Sequence, residues 1–173
     1  MADMERIKEA YERNQKAIRL RPSIGQGTAV TRARVRDGLT VDIEDGGWTF
    51  VSDEGKRDGG NGEGADPGVY GRTALASCLA VGYMMVAAVE NVPITSLEVE
   101  VQADYDARGM FGIDDSVPSG WTAMRYIVTV ESPASREDIT RVLDEADKRS
   151  SLLHSFRNPV PIEREVQITA PAR

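Results

Sequence analysis

From Ala74 to Val89 the chain carries no charged residue over 16 positions, and nothing else in it restricts the fold so tightly. A helix made from this run presents apolar or small side chains on every face, so it must be covered on more than one side, as in a domain core. Its start is written just upstream. Asp66 can accept from the free amides of a first turn, and Pro67 loses nothing where an N–H has no partner. Asn91 and then Pro93 mark the end. Ser77, Gly82 and Tyr83 interrupt the run, which falls short of the ~18–20 strongly apolar residues of a membrane span. The pattern predicts the central helix of a soluble domain, with the chain's one cysteine, Cys78, near its middle.

The 173 residues suit one domain with a substantial core. A net charge of −7 argues against a nucleic-acid surface, which relies on clustered Lys and Arg. Asp3 and Glu5 with no following apolar run do not read as a secretory signal, so a cytoplasmic location is expected. A single cysteine forms no intrachain disulfide, and Cys78 with His154 is too poor a set for structural zinc. No cofactor or metal is expected.

Before the central helix, Met4, Ile7, Tyr11 and Ile18 recur at near-helical spacing, so residues 4–18 read as an amphipathic helix capped by Asp3 and closed by Arg21-Pro22. Three β-prone runs follow, at 28–35, 39–44 and 48–52. A two-residue turn at Asp37-Gly38 would set Arg32 and Arg34 on the face of Val41 and Ile43. A three-residue loop with Gly38 left-handed instead pairs Val35 with Leu39 and Ala33 with Val41, and leaves Arg36 in the loop. A Gly46-Gly47 turn matches Ile43 with Phe50, so the meander gains one apolar side. Residues 53–65 form a loop rich in glycine. After the helix, Leu97 to Tyr105 alternates cleanly as a half-buried strand. A polar loop at 106–120, a strand around Met124 to Val130, a helix 136–149 behind the capping box Ser135 to Asp138, and a last strand Ile162 to Ile168 complete the chain. Without regular β-α-β alternation the order favours an α+β fold with antiparallel sheet, and the bare faces of the central helix favour a homodimer.

A cysteine in an apolar helix ordinarily packs as a small hydrophobe. A reactive thiolate needs partial exposure and a positive field, and Cys78 lies three turns in, too deep for its own helix terminus to act strongly. A guanidinium would have to supply that field, with Arg36 the first candidate and Arg34 or Arg72 behind it. The loop Gly59 to Gly64 lacks both phosphate-loop spacings. His154 stands alone, and Glu98, Glu100 and Asp104 read as a solvated strand face.

Gly64-Ala65-Asp66-Pro67, then Ala76-Ser77-Cys78-Leu79-Ala80, then Ile94 to Val99, resemble the OsmC/Ohr family of osmotically inducible and organic-hydroperoxide-resistance proteins over residues 28–168. The resemblance divides the chain into an N-terminal helical extension, 1–22, and an OsmC-like domain, 23–173. It implies an intertwined homodimer in which sheets from both chains wrap two long central helices, with a site at each subunit interface. It implies further that Cys78 attacks a peroxide oxygen and that Arg36 in the early hairpin holds the thiolate. Two positions depart from the family pattern. The glutamate that orients the arginine is Gly68 here, and Ser150 stands near the place of the second cysteine. A serine cannot resolve a sulfenic acid as a disulfide, so an external thiol reductant would be required.

Three readings follow. The first is a thiol-dependent reducer of small apolar hydroperoxides, in oxidative stress defence, with Cys78 as nucleophile, Arg36 lowering its pKa and Met85 lining the pocket. The second is a catalytically degenerate protein of the same fold that holds an apolar small molecule at the dimer interface. The third is a non-enzymatic dimeric interaction protein docking through helix 4–18. None involves nucleic acid or membrane.

Overall fold

The computed structural model describes residues 3–170. Helix α1 (Met4–Leu20) is capped by Asp3, whose side chain accepts from the Arg6 amide. A 3-10 turn (Pro22–Gly25) leads to a three-stranded antiparallel meander, β1 (Thr31–Asp37), β2 (Thr40–Asp45) and β3 (Trp48–Ser52). The central helix α2 (Pro67–Glu90) is capped by Asp66, which accepts from Val69 N at 3.0 Å, and ends on Asn91 in the left-handed conformation (φ 56°). A second antiparallel sheet joins β4 (Ser96–Tyr105) to β5 (Trp121–Glu131), with a one-turn helix α3 (Ala107–Met110) between them. Helices α4 (Arg136–Arg149) and α5 (Ser151–Arg157) follow.

One face of the β4–β5 ribbon is apolar by strict alternation. Leu97 pairs with Val130, Val99 with Val128, Val101 with Tyr126 and Ala103 with Met124, so one side is an aliphatic and aromatic floor. Leu75, Leu79, Tyr83, Val86 and Ala87 of α2 lie on that floor, and Val142 and Ala146 of α4 with Leu153 of α5 close the core beside them. Tyr83, only 1% exposed, donates to Asp147 Oδ1 at 2.7 Å, and Tyr126 donates to the other oxygen of the same carboxylate. That shared carboxylate ties α4 to both α2 and the sheet. By length and hydropathy α2 would also suit a membrane span, but here β4, α1, α4 and α5 all pack against it.

The fold corrects three expectations. In the first hairpin the turn is Gly38-Leu39, with Gly38 at φ 54°, so Val35 pairs with Val41 and Ala33 with Ile43. Arg36 is therefore a bulged residue within β1 rather than part of the loop. The reason lies in the turn itself: left-handed Gly38 opens a two-residue turn that pairs Asp37 with Thr40, and the extra residue at Arg36 brings Val35 back opposite Val41. The second hairpin pairs Ile43 with Phe50, as its turn predicts.

As its bare faces lead one to expect, α2 is not covered all round in one chain. It packs broadly on β4 and meets the meander through Tyr70, and Val81 (53% exposed) and Met85 remain open. The meander's apolar residues Val35, Trp48 (72%) and Phe50 are equally open, and this sheet is joined to α2 by Tyr70, whose hydroxyl donates to the Val51 carbonyl at 2.6 Å. Second, residues 162–168 form no strand: they are exposed and pair with none of the described strands. Third, α5 occupies a stretch in which no helix was expected.

Candidate functional site

Cys78 faces the start of α5. Its Sγ lies 3.4 Å from Ser150 Oγ and 3.9 Å from Ser151 Oγ. Ser150 caps α5 by accepting from Leu153 N at 3.2 Å, so the same hydroxyl has its proton to give to a thiolate. Burial pushes the Cys78 thiol up, but the Ser150 hydroxyl, the Leu152 amide, the Ser151 hydroxyl and the Ser151 amide outweigh it. The thiol is held below its ordinary value.

The positive field required at Cys78 thus comes, within one chain, from amides and hydroxyls at the first turn of another helix. Sequence reasoning missed this because it sought a guanidinium. The signal was present: Ser150-Ser151 ahead of Leu152, Leu153 and Phe156 is a cap followed by helical spacing. The sulfur opens on a cavity of about 560 Å³ whose walls include Tyr11, Val81, Met85, Ala146 and Leu152. Its lining is largely apolar, suited to an alkyl or aryl group rather than to a sugar or phosphate.

Arg36 is held elsewhere in the chain. Its Nη2 donates to Glu63 Oε2 at 2.6 Å and its Nε lies 3.4 Å from Asp42 Oδ1, with all three side chains about half exposed. It is not among the groups that touch Cys78 in the same protomer, and neither are Arg34 and Arg72. The carboxylate expected at Gly68 is supplied to Arg36 by Glu63 instead.

Glu63 owes its position to Asp53, which is 2% exposed and a hub for the loop. Its carboxylate accepts from Thr40 Oγ1, from its neighbour Glu54 N at 2.8 Å, and from the amides of Asn61 and Glu63, both at 3.1 Å. Burial pushes this carboxyl up, yet the Glu63 amide, the Thr40 hydroxyl and the Glu54 and Asn61 amides hold it below the usual carboxylate range. Residues 53–65 are thus an ordered loop built on one buried acid. Gly60 lets that loop close, since a Cβ there would lie 2.0 Å from the Glu54 carbonyl oxygen. His154, Glu98, Glu100 and Asp104 are exposed and take no part in the cavity.

A family model described as OsmC-like protein matches residues 60–165, a span that includes α2, Cys78 and Ser150. No curated protein matches the chain by sequence. Among solved structures, the OsmC-like protein from Mycoplasma pneumoniae superposes with a TM-score of 0.66 at 16% identity, covering 78% of this chain and 90% of that one. An organic hydroperoxide resistance protein from Legionella pneumophila gives 0.57 at 13% identity, covering 76% and 90%. One from Elizabethkingia anophelis, with thiocyanate bound, gives 0.58 at 13% identity, covering 78% and 91%. At such identities these likenesses speak for the fold, and it is the sequence match over residues 60–165 that speaks for descent. The chain belongs to the OsmC-like protein family.

Proposed function

We propose that the protein reduces small apolar organic hydroperoxides through Cys78, in oxidative stress defence, and that an external thiol completes each cycle. The observation that carries this reading is the Cys78 environment: a half-buried sulfur at the mouth of an apolar cavity, its thiol held below the ordinary value by Ser150 and the α5 amides. In the proposed reaction the thiolate attacks the distal peroxide oxygen. The S–O bond forms as the O–O bond breaks, and the departing alkoxide takes a proton to leave as the alcohol. Cys78 is then a sulfenic acid. With Ser150 beside it in place of a second thiol, one external thiol condenses to a mixed disulfide with loss of water, and a second releases Cys78.

Arg36 enters the same proposal as a group delivered by a second subunit. The open face of α2 at Val81 and Met85 and the open apolar side of the meander at Val35, Trp48 and Phe50 are surfaces that a homodimer would cover. A partner's meander laid on α2 would bring its Arg36, oriented by Glu63, toward Cys78. A reducing cytoplasmic setting, with no nucleic acid or membrane involved, belongs to the same reading.

The test is rapid mixing of the reduced protein with cumene hydroperoxide, with dimedone trapping and mass spectrometry. The expected result is stoichiometric alcohol and a single adduct on Cys78, both lost in Cys78→Ser. An unreactive thiol would contradict the proposal. It would leave the second reading, an apolar-ligand pocket without turnover, which draws on the replacement of the second cysteine by Ser150 and on the cavity's apolar walls.

A further inference from the structure

Tyr11 lies outside the stretch matched to the family, yet it is part of the wall around Cys78. The same side chain borders three hollows. One is the Cys78 cavity. The second, about 630 Å³, runs along α1 between Ile7, Ala10, Ile18 and Met85. The third, about 190 Å³, lies against Val86 and Glu90. Tyr11, half-buried, is therefore common to the walls of all three, and Met85 to those of the first two. Along α2, Met85 is seven residues beyond Cys78, about 10 Å at ~1.5 Å per residue. That is the extended length of an octyl chain whose head group sits at the sulfur.

We propose that Tyr11 sets the chain-length specificity of the Cys78 pocket: it shares the cavity wall with Met85, which lies about two helical turns along α2 from Cys78, and so admits linear alkyl groups up to roughly eight carbons and turns away longer ones. The inference rests on the Cys78 cavity being a ligand site, as proposed above, and names the substrate class as medium-length linear alkyl compounds. It does not require peroxide chemistry. The N-terminal helix thus contributes a wall of the pocket in addition to covering the core. A shorter side chain at position 11 would join the Cys78 cavity to the groove along α1, where Ile7 and Ile18 offer a further apolar path.

Alkyl methanethiosulfonates test this without peroxide, because the Cys78 thiolate attacks the sulfenyl sulfur, a disulfide forms and methanesulfinate leaves. Modification rates followed by mass spectrometry with methyl, octyl and dodecyl reagents give a long-to-short ratio for each protein. In the native chain the octyl reagent is expected to outpace the methyl one, with the dodecyl reagent falling behind the octyl. Tyr11→Ala should raise the dodecyl-to-octyl ratio by at least about tenfold, the gain of burying two or more further methylenes in a continuous groove. Tyr11→Trp should move the cut-off to chains shorter than octyl, which keeps the test decisive if the alanine variant fails to fold. Tyr11→Phe, which keeps the ring, should follow the native profile. Equal ratios in the native, Ala and Trp proteins would overturn the proposal even if hydroperoxide turnover is found. A chain-length cut-off that moves with position 11 would uphold it even if turnover is absent.

Discussion

Replacing Ser150 by cysteine should give the protein an internal redox cycle. Ser150 Oγ is 3.4 Å from Cys78 Sγ, and a disulfide needs about 2.05 Å, so a sulfur at position 150 would start within reach of Cys78. The two positions are 72 residues apart in sequence, and closing a loop of that length removes enough chain entropy from the unfolded state to stabilise by about 4 kcal/mol. Against this, the substitution loses the hydroxyl that accepts from Leu153 N, which costs about 1 kcal/mol in either redox state. The oxidised variant should thus be about 3 kcal/mol more stable than the native chain and the reduced variant slightly less stable. For a domain of this size each kcal/mol moves the melting temperature by ~2–4 °C, so oxidised and reduced Ser150→Cys should differ by about 8–16 °C. The assay is a thermal melt with and without dithiothreitol, after one equivalent of cumene hydroperoxide. Non-reducing peptide mapping should locate the crosslink between positions 78 and 150, and Cys78→Ser in the same background should abolish it. Sulfenic acid on Cys78 with no crosslink, or coincident melts, would refute the placement of Ser150 against the sulfur.

Two further expectations concern the supports of the site. Asp147→Ala leaves the Tyr83 hydroxyl buried without its acceptor, and denaturant unfolding should read a loss of about 1–3 kcal/mol; an unchanged midpoint would contradict the role given to that carboxylate. Asp53 has a lowered folded pKa, so the unfolded state takes up its proton more readily. Its contribution is complete above the unfolded value of about 3.9 and fades as pH falls through the lowered folded one. Between about pH 4 and pH 2 the native chain should lose melting temperature more steeply than Asp53→Asn, whose curve lacks this component; parallel curves would contradict the hub.

Much of this fold was legible because local signals agreed. Asp66-Pro67 before the uncharged run, Asn91 after it, Ser135 ahead of α4 and the alternation from Leu97 to Tyr105 each act within a few residues, and each lies where its chemistry puts it. The errors arose where such signals are silent. The register of β1 on β2 turns on a bulge at Arg36 next to a two-residue turn, and period-2 patterning does not encode a bulge. Residues 162–168 have strand composition but pair with none of the described strands, and composition alone does not choose a partner. Cys78 was identifiable as the candidate sulfur by its place in the helix and by family resemblance, whereas the groups that tune its thiol belong to α5 and come together only in three dimensions. Arg36 sits in a strand bulge rather than a loop and pairs with Glu63, 27 residues away, a contact that no local pattern signals.

The central claim is that the Cys78 thiol ionises more readily than a free cysteine because Ser150 and the α5 amides stabilise its charged form. The most direct measurement is the rate of Cys78 alkylation by iodoacetamide as a function of pH, in the native protein and in Ser150→Ala. A midpoint below the ~8.5 of free cysteine, moved upward in Ser150→Ala, is the predicted result. A midpoint at or above that of free cysteine, unmoved by the substitution, would contradict it.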